Sequence, residues 1–149
     1  MTESIGYIFA GIARLMRRRF DEMSRDTGIT SPQWRVLVSV HCNPGINQGT
    51  LADMLDVEPI TTCRMVDRLE QAGLVERRHD PNDRRAWQIF LTDAAMPLID
   101  GMKDRASLLN TAALAGLTKS DQNNLVRMLD TIRQNLNGMV VDTKEARHG

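Results

Sequence analysis

Aromatic side chains are scarce in this sequence, with three Phe, two Trp and one Tyr among 149 residues, while nine Met accompany Leu, Ile and Ala recurring at helical spacing. That balance favours a mostly α fold. There are only two cysteines, Cys42 and Cys63, with no CxxC pair and no histidine at metal-ligand spacing. Neither a zinc site nor a thioredoxin-type motif is therefore supported, and reduced thiols in a cytosolic protein are expected. No apolar run approaches the roughly 18 residues of a membrane helix, and the N-terminus lacks the basic-then-apolar order of a signal peptide, so a cytoplasmic location is expected. The formal net charge is zero. Any nucleic-acid site must then be a local basic patch balanced by acids elsewhere. His41, His79 and His148 have no nucleophile or carboxylate at useful spacing, and there is no glycine-rich phosphate loop. No enzyme activity and no cofactor are expected.

With 42% hydrophobic and 26% charged residues, the chain can bury a real core as one compact domain, or as two small units sharing helices. Ile5, Ile8, Phe9, Ile12, Leu15, Met16, Phe20 and Met23 step by three and four. This predicts an amphipathic helix over residues 4–25, stopped by Gly28, with Arg14, Arg17, Arg18 and Arg19 on its other face. Thr30 with Gln33 forms a capping-box pattern around Pro32, opening a short, largely buried helix that ends at Asn43-Pro44-Gly45.

Residues 48–55 and 59–72 read as two helices joined by a turn over Asp56 to Glu58, with Gly73 as the stop. That is the outline of a helix-turn-helix. On a wheel of about 100° per residue, Thr62, Cys63, Leu69 and Gly73 fall near Val66, whereas Thr61, Arg64 and Arg68 fall opposite. Two strand-like runs follow, LVERRH and AWQIFLT, the second with Trp87, Ile89 and Leu91 on one face. Between them Asp80 to Asp83 make a turn by mechanism, carrying Arg84 and Arg85 outward while Trp87 and Ile89 root the hairpin in the core. A hairpin directly after a helix-turn-helix is a winged helix. Thr92 is expected to cap a long helix holding Leu98, Ile99, Met102, Leu109 and Ala113, with Pro97 bending or delaying its start. Thr118 with Asp121 caps a last helix bearing Leu125, Met128, Leu129, Ile132 and Leu136, extending towards Met139 and Val140.

A helix presenting Arg64 and Arg68 one turn apart suits the major groove, where arginine makes bidentate contacts to guanine. Thr61 is placed for a phosphate or a thymine methyl, and one of Arg84 and Arg85 suits the narrow minor groove while the other touches backbone or holds the loop. The expected DNA-binding set is Thr61, Thr62, Arg64, Met65, Arg68, Arg84 and Arg85, with Thr62 on the inward half of the wheel. A winged-helix module that binds protein without specific DNA binding is the alternative, for which Ile60 and Met65 leave room.

The stretch DPNDRRAWQIFLT resembles the wing of MarR-type transcription regulators, in which an Asp-x-Arg-Ala/Ser pattern, here Asp83 to Ala86, precedes the second wing strand. LADMLDVEPITTCRMVDRLEQAGLVERR looks like the same family's helix-turn-helix, and residues 6–41 are similar to the front of its SlyA-like branch. The resemblance implies a mainly α fold with a small β-hairpin wing. It divides the chain into a winged helix-turn-helix lobe over residues 30–96, a helical dimerisation region over 1–29 and 97–141, and a flexible tail over 142–149. It further implies a homodimeric repressor on a pseudo-palindromic double-stranded operator, with Asp83 bracing the wing arginines and Asp67 pairing with an arginine at the wing base.

Release by a small aromatic carboxylate or phenolic effector is also implied. Mapped onto this chain, its cleft comprises Arg14, Met16, Arg17, Trp34, Val38, His41 and Arg64, the alternative being that Trp34 and Val38 are core and His41 closes a helix end. Peroxide-sensing relatives carry a reactive cysteine near the N-terminal helix, where this chain has none, and Cys63 is expected to be a small core residue.

Overall fold

The computed structural model describes residues 3–140, so the tail expected over 142–149 lies outside the described residues. Packing divides the chain into two compact units, one ending at Asn110 and the other beginning at Thr111. In the first unit, α1 (Ile5–Met23) buries only Phe20. The helix stops two residues before the expected end because Ser24 leaves helical geometry, its N–H bonding back to the Phe20 and Asp21 carbonyls. A 3-10 turn over Arg25–Thr27 follows and closes at Gly28, whose φ of 70° is left-handed. Arg105 holds this turn from outside, placing Nη1 and Nη2 2.6 and 2.9 Å from the two Asp26 carboxylate oxygens. Those hydrogen bonds hold the Asp26 carboxyl below its ordinary pKa, and the carboxylate in turn raises that of Arg105.

Thr30 caps α2 (Ser31–Cys42) through the reciprocal box: the Gln33 N–H donates to Thr30 Oγ1, and the Thr30 N–H donates to Gln33 Oε1. Asp21 Oδ1 accepts from the Ser31 N–H at 2.5 Å, satisfying another orphan donor of that first turn. Val36, Leu37 and Val40 of α2 are fully buried. Around them lie α3 (Gln48–Leu55), capped by Asn47, and α4 (Pro59–Gln71). The turn between these helices passes through Asp56, left-handed at φ 52°, a conformation that aspartate tolerates better than most residues.

The sheet has three antiparallel strands where two were expected: β1 (Ile46–Asn47), β2 (Val75–His79) and β3 (Trp87–Leu91), in the order β1-β3-β2. Two residues are too few to show alternation, so β1 exists only because Ile46 and Asn47 meet Ile89 and Gln88. Val75 and Ile89 are buried in the core with Leu51, Leu55, Val66 and Leu69, each such side chain stabilising the fold by about 1.5–3 kcal/mol relative to exposure.

The long helix α5 (Ala95–Ala113) begins at Ala95, not at Thr92. Thr92 does not cap it with its side chain; its hydroxyl donates to the Gly73 carbonyl at 2.5 Å, pinning the end of β3 beside the end of α4. Pro97 therefore falls in the first turn, where its missing N–H would have had no intrahelical partner. Ala95, Ile99 and Met102 turn inward. In the second unit, α6 (Lys119–Asn137) starts at the Thr118–Asp121 capping box and buries no residue. It ends before Met139 and Val140, which are exposed.

Candidate nucleic-acid interface

Helix α4 has two unlike faces. Thr62, Val66 and Leu69 are buried, while Thr61, Arg64 and Arg68 are exposed. Thr62, expected among the DNA-contacting residues, is thus corrected to a core position: it is fully buried, and its hydroxyl makes no hydrogen bond. The wheel places it only about 40° from Val66. Met65 is half-buried and packs against the core, so it lies at the border of the exposed face.

Beyond α4, the wing loop consists of two successive turns. The Asp83 N–H bonds to the Asp80 carbonyl and the Ala86 N–H to that of Asp83, while Asp80 Oδ1 accepts from the Asn82 N–H at 2.8 Å. Asp83 Oδ1 accepts from the backbone N–H of Arg85 at 3.0 Å. Its contact is with the backbone from which Arg85 projects, not with a guanidinium. Arg84 and Arg85 are both exposed. Trp87 departs from its expected place in the core: it is 37% exposed and stacks on His79 with ring centroids 4.0 Å apart. The hairpin has left the helical layer by that residue, so only Ile89, two positions further in, is fully buried.

At the wing base the side chain of Arg77 is only 11% exposed. Its Nη1 lies 2.7 Å from Asp67 and 3.2 Å from Glu70, Nε donates to Gln48, and Nη2 donates to the Cys63 carbonyl. One guanidinium thereby ties β2 to α3 and to three successive turns of α4, with the several charge-assisted bonds that offset its desolvation. The resemblance implies an arginine partner for Asp67 at the wing base without identifying which. The available signal was strand alternation, which puts Arg77 on the face of Val75. Arg78 points the other way, with its guanidinium 4.2 Å from the Phe90 ring centroid and Nε donating to Glu76 at 2.9 Å. Cys63 is partly buried with Sγ 3.8 Å from Arg77 Nη2, and Cys42 is exposed.

The described arginines differ in their partners: Arg35 and Arg127 donate to the Leu55 carbonyl and to Asn124 Oδ1, while exposed Arg14, Arg17 and Arg25 make no side-chain hydrogen bond or ion pair. Arg18, Arg19, Arg77, Arg78, Arg105 and Arg133 form ion pairs. Among the described residues, no side-chain hydrogen bond or ion pair engages Arg64, Arg68, Arg84 or Arg85.

A second feature lies between α1, α2 and α5 within the first unit. An open cleft of about 160 Å³ brings together Met16, Arg17 and Trp34 from the expected effector set, beside Phe20, Leu109 and Asn110. Trp34 stacks on Phe20 at 6.1 Å between centroids. The other members of that set do not line it: Arg14 and Arg64 are exposed elsewhere, and Val38 and His41 are half-buried on α2. Among the described residues there is no group of three or more His, Cys, Asp or Glu that could hold a metal ion, and no helix long and apolar enough to cross a membrane.

A family model described as the MarR family matches residues 29–87, from just before α2 to the first residue of β3. The fold as a whole is similar to that of transcriptional regulator PA3341, with a TM-score of 0.81 at 31% identity, covering 91% of this chain and 100% of that one. A MarR transcriptional regulator from Methanosarcina mazei Go1 is similar at 28% identity and a TM-score of 0.85, covering 91% of this chain and 98% of its own. The transcriptional regulator SlyA is similar at 26% identity and a TM-score of 0.81, with 90% and 94% covered.

Proposed function

The chain belongs to the MarR family, and from that membership we propose that it is a sequence-specific DNA-binding repressor of SlyA type, acting as a homodimer on a pseudo-palindromic operator. One observation carries the reading: Arg64, Arg68, Arg84 and Arg85 are exposed and unpaired, while the arginine between them in the fold, Arg77, is locked in place. Arg64 and Arg68 on a helix of major-groove dimensions supply bidentate guanine contacts, and a cation at a hairpin tip reaches a narrow minor groove. With no net charge, affinity depends on these placed guanidinium groups.

The homodimer is supported by apolar surface that the single chain leaves exposed. On α1 these are Ile5, Tyr7, Ile12 and Leu15; on α6 they are Val126, Met128, Leu129 and Leu136, the last 62% exposed. Stripes of that extent mark association surfaces. Residues 30–96 then form the DNA-binding lobe, and residues 1–29 with 97–141 the dimerisation region. The cleft of Met16, Arg17 and Trp34 suits a small aromatic carboxylate or phenolate, held by the guanidinium and by stacking. Its binding releases the operator.

The test starts from sites selected out of promoter regions flanking the gene. Arg64→Ala and Arg85→Ala each weaken binding to the selected operator, with about 1–3 kcal/mol of base discrimination lost where a bidentate contact is removed. Affinity falls steeply with salt through counterion release. Leu136→Glu yields a monomer in sedimentation and abolishes operator binding. Weak, sequence-independent binding in the wild type and in both arginine variants would overturn the reading.

A further inference from the structure

We infer that Ile60 is a specificity-determining residue that reads the C5-methyl group of thymine in the major groove, in register with Arg64 and Arg68. The inference rests on the DNA-binding reading above.

Ile60 is 64% exposed, more than Met54 or Trp87, the other large exposed apolar side chains between α2 and β3. A lone exposed aliphatic on a protein surface needs no explanation. This one stands in a row: Ile60, Arg64 and Arg68 follow at four-residue intervals along one face of α4, about 6 Å apart per step, with Thr61 exposed beside them. The face opposite is the buried one of Val66 and Leu69. An apolar side chain thus begins a line whose next two members are unpaired cations.

The chemistry of the groove matches that order. Base edges there present hydrogen-bond acceptors and donors, and one apolar group, the methyl of thymine. Guanidinium groups answer the acceptors of guanine but gain nothing from a methyl, whereas an isoleucine does the reverse. Ile60 is also held stiffly, because its β-branch leaves essentially one χ1 rotamer in a helix and Pro59 presets the backbone just before it. Its methyl groups therefore project in a fixed direction, with little rotamer entropy left to lose on contact. An apolar protein partner fits this face less well, since covering Ile60 would also desolvate Arg64 and Arg68 without giving them acceptors.

The experiment replaces each thymine of the selected operator in turn by deoxyuridine, which removes only the methyl group, and measures affinity at fixed salt for the wild type, Ile60→Ala and Ile60→Val. For the wild type, one or two thymines per half-site show a loss of about fourfold, the worth of burying one methyl group. Ile60→Ala binds the unmodified operator more weakly, by a similar factor, and is indifferent to deoxyuridine at those positions. Ile60→Val keeps most of the sensitivity. Because Ile60 is exposed, thermal melts of both variants should match the wild type. The proposal is overturned if the wild type binds the operator specifically yet is indifferent to every substitution, or if Ile60→Ala retains the full penalties; in either case the repressor reading stands. A wild type with no preference for any operator over random duplex removes both.

Discussion

Arg77 Nη1 lies 2.7 Å from Asp67 Oδ1, and through this pair the first wing strand is fastened to the helix that presents Arg64 and Arg68. Two elements proposed to contact neighbouring grooves can act as one rigid unit only if the angle between them is fixed, and this guanidinium makes bonds to both helices of the helix-turn-helix.

Removing that guanidinium leaves Glu70, Asp67, Gln48 and the Cys63 carbonyl without their common donor. Arg77→Ala lowers stability by about 2 kcal/mol in chemical denaturation, the scale of losing hydrogen bonds to a charged group. Operator affinity falls although Arg77 reaches no base. Arg77→Lys recovers only part of either quantity, because an ammonium cannot span the same acceptors. Equal stability of Arg77→Ala and the wild type would show that the cluster holds nothing together.

Thr62 calls for the opposite outcome. Its buried hydroxyl makes no hydrogen bond, and an unsatisfied polar group of that kind costs roughly 1–3 kcal/mol. Thr62→Val keeps the shape, raises the melting temperature and leaves operator affinity unchanged. A loss of affinity at constant stability would return Thr62 to the interface.

Glycines separate two sources of strain. Gly45 has φ of 80°, and an added Cβ would stand 3.1 Å from Phe90 Cζ; Gly28 has φ of 70° with nothing within 4 Å of the added atom. Gly28→Ala costs about 1 kcal/mol for the left-handed backbone. Gly45→Ala costs about 1 kcal/mol more, because the ring must shift in a packed site. Denaturation midpoints of the two variants, compared directly, measure the difference.

Acid should weaken the link between the turn after α1 and α5. Hydrogen bonds from Arg105 hold Asp26 below the ordinary aspartate value of 3.8. The folded state therefore favours the carboxylate, and its contribution is complete above that value and lost as pH falls through the lowered one. A melting-temperature profile of Asp26→Asn lies below the wild type at neutral pH and converges with it in strong acid. The gap also narrows with salt, as the pair is exposed.

Much of the architecture was legible because it rests on local chemistry. Thr30 with Gln33 and Thr118 with Asp121 settle a backbone conformation through bonds three positions apart, Pro32 and Gly28 do so through their own φ preferences, and such signals survive in the sequence. The two faces of α4 were legible in the same way, since helical period alone separates Val66 from Arg64. Strand β1 was not, because a two-residue strand is defined by its partner β3. Nor was the start of α5: Thr92 resembled a cap until the fold offered its hydroxyl the Gly73 carbonyl.

The candidate site divides along the same line. The sequence by itself determined which residues could present charge: the arginines at 64, 68, 84 and 85, their helical or turn context, and the capping and turn chemistry around them. Only the tertiary structure decided which of the many arginines stay free. Arg77 and Arg84 look alike in the chain, yet one is drawn into a cluster assembled from α3, α4 and β2, and the other stands at the end of a hairpin. The pairing of Arg77 depends on an acceptor 29 positions away, and that of Arg105 on one 79 positions away, and no local pattern encodes that proximity.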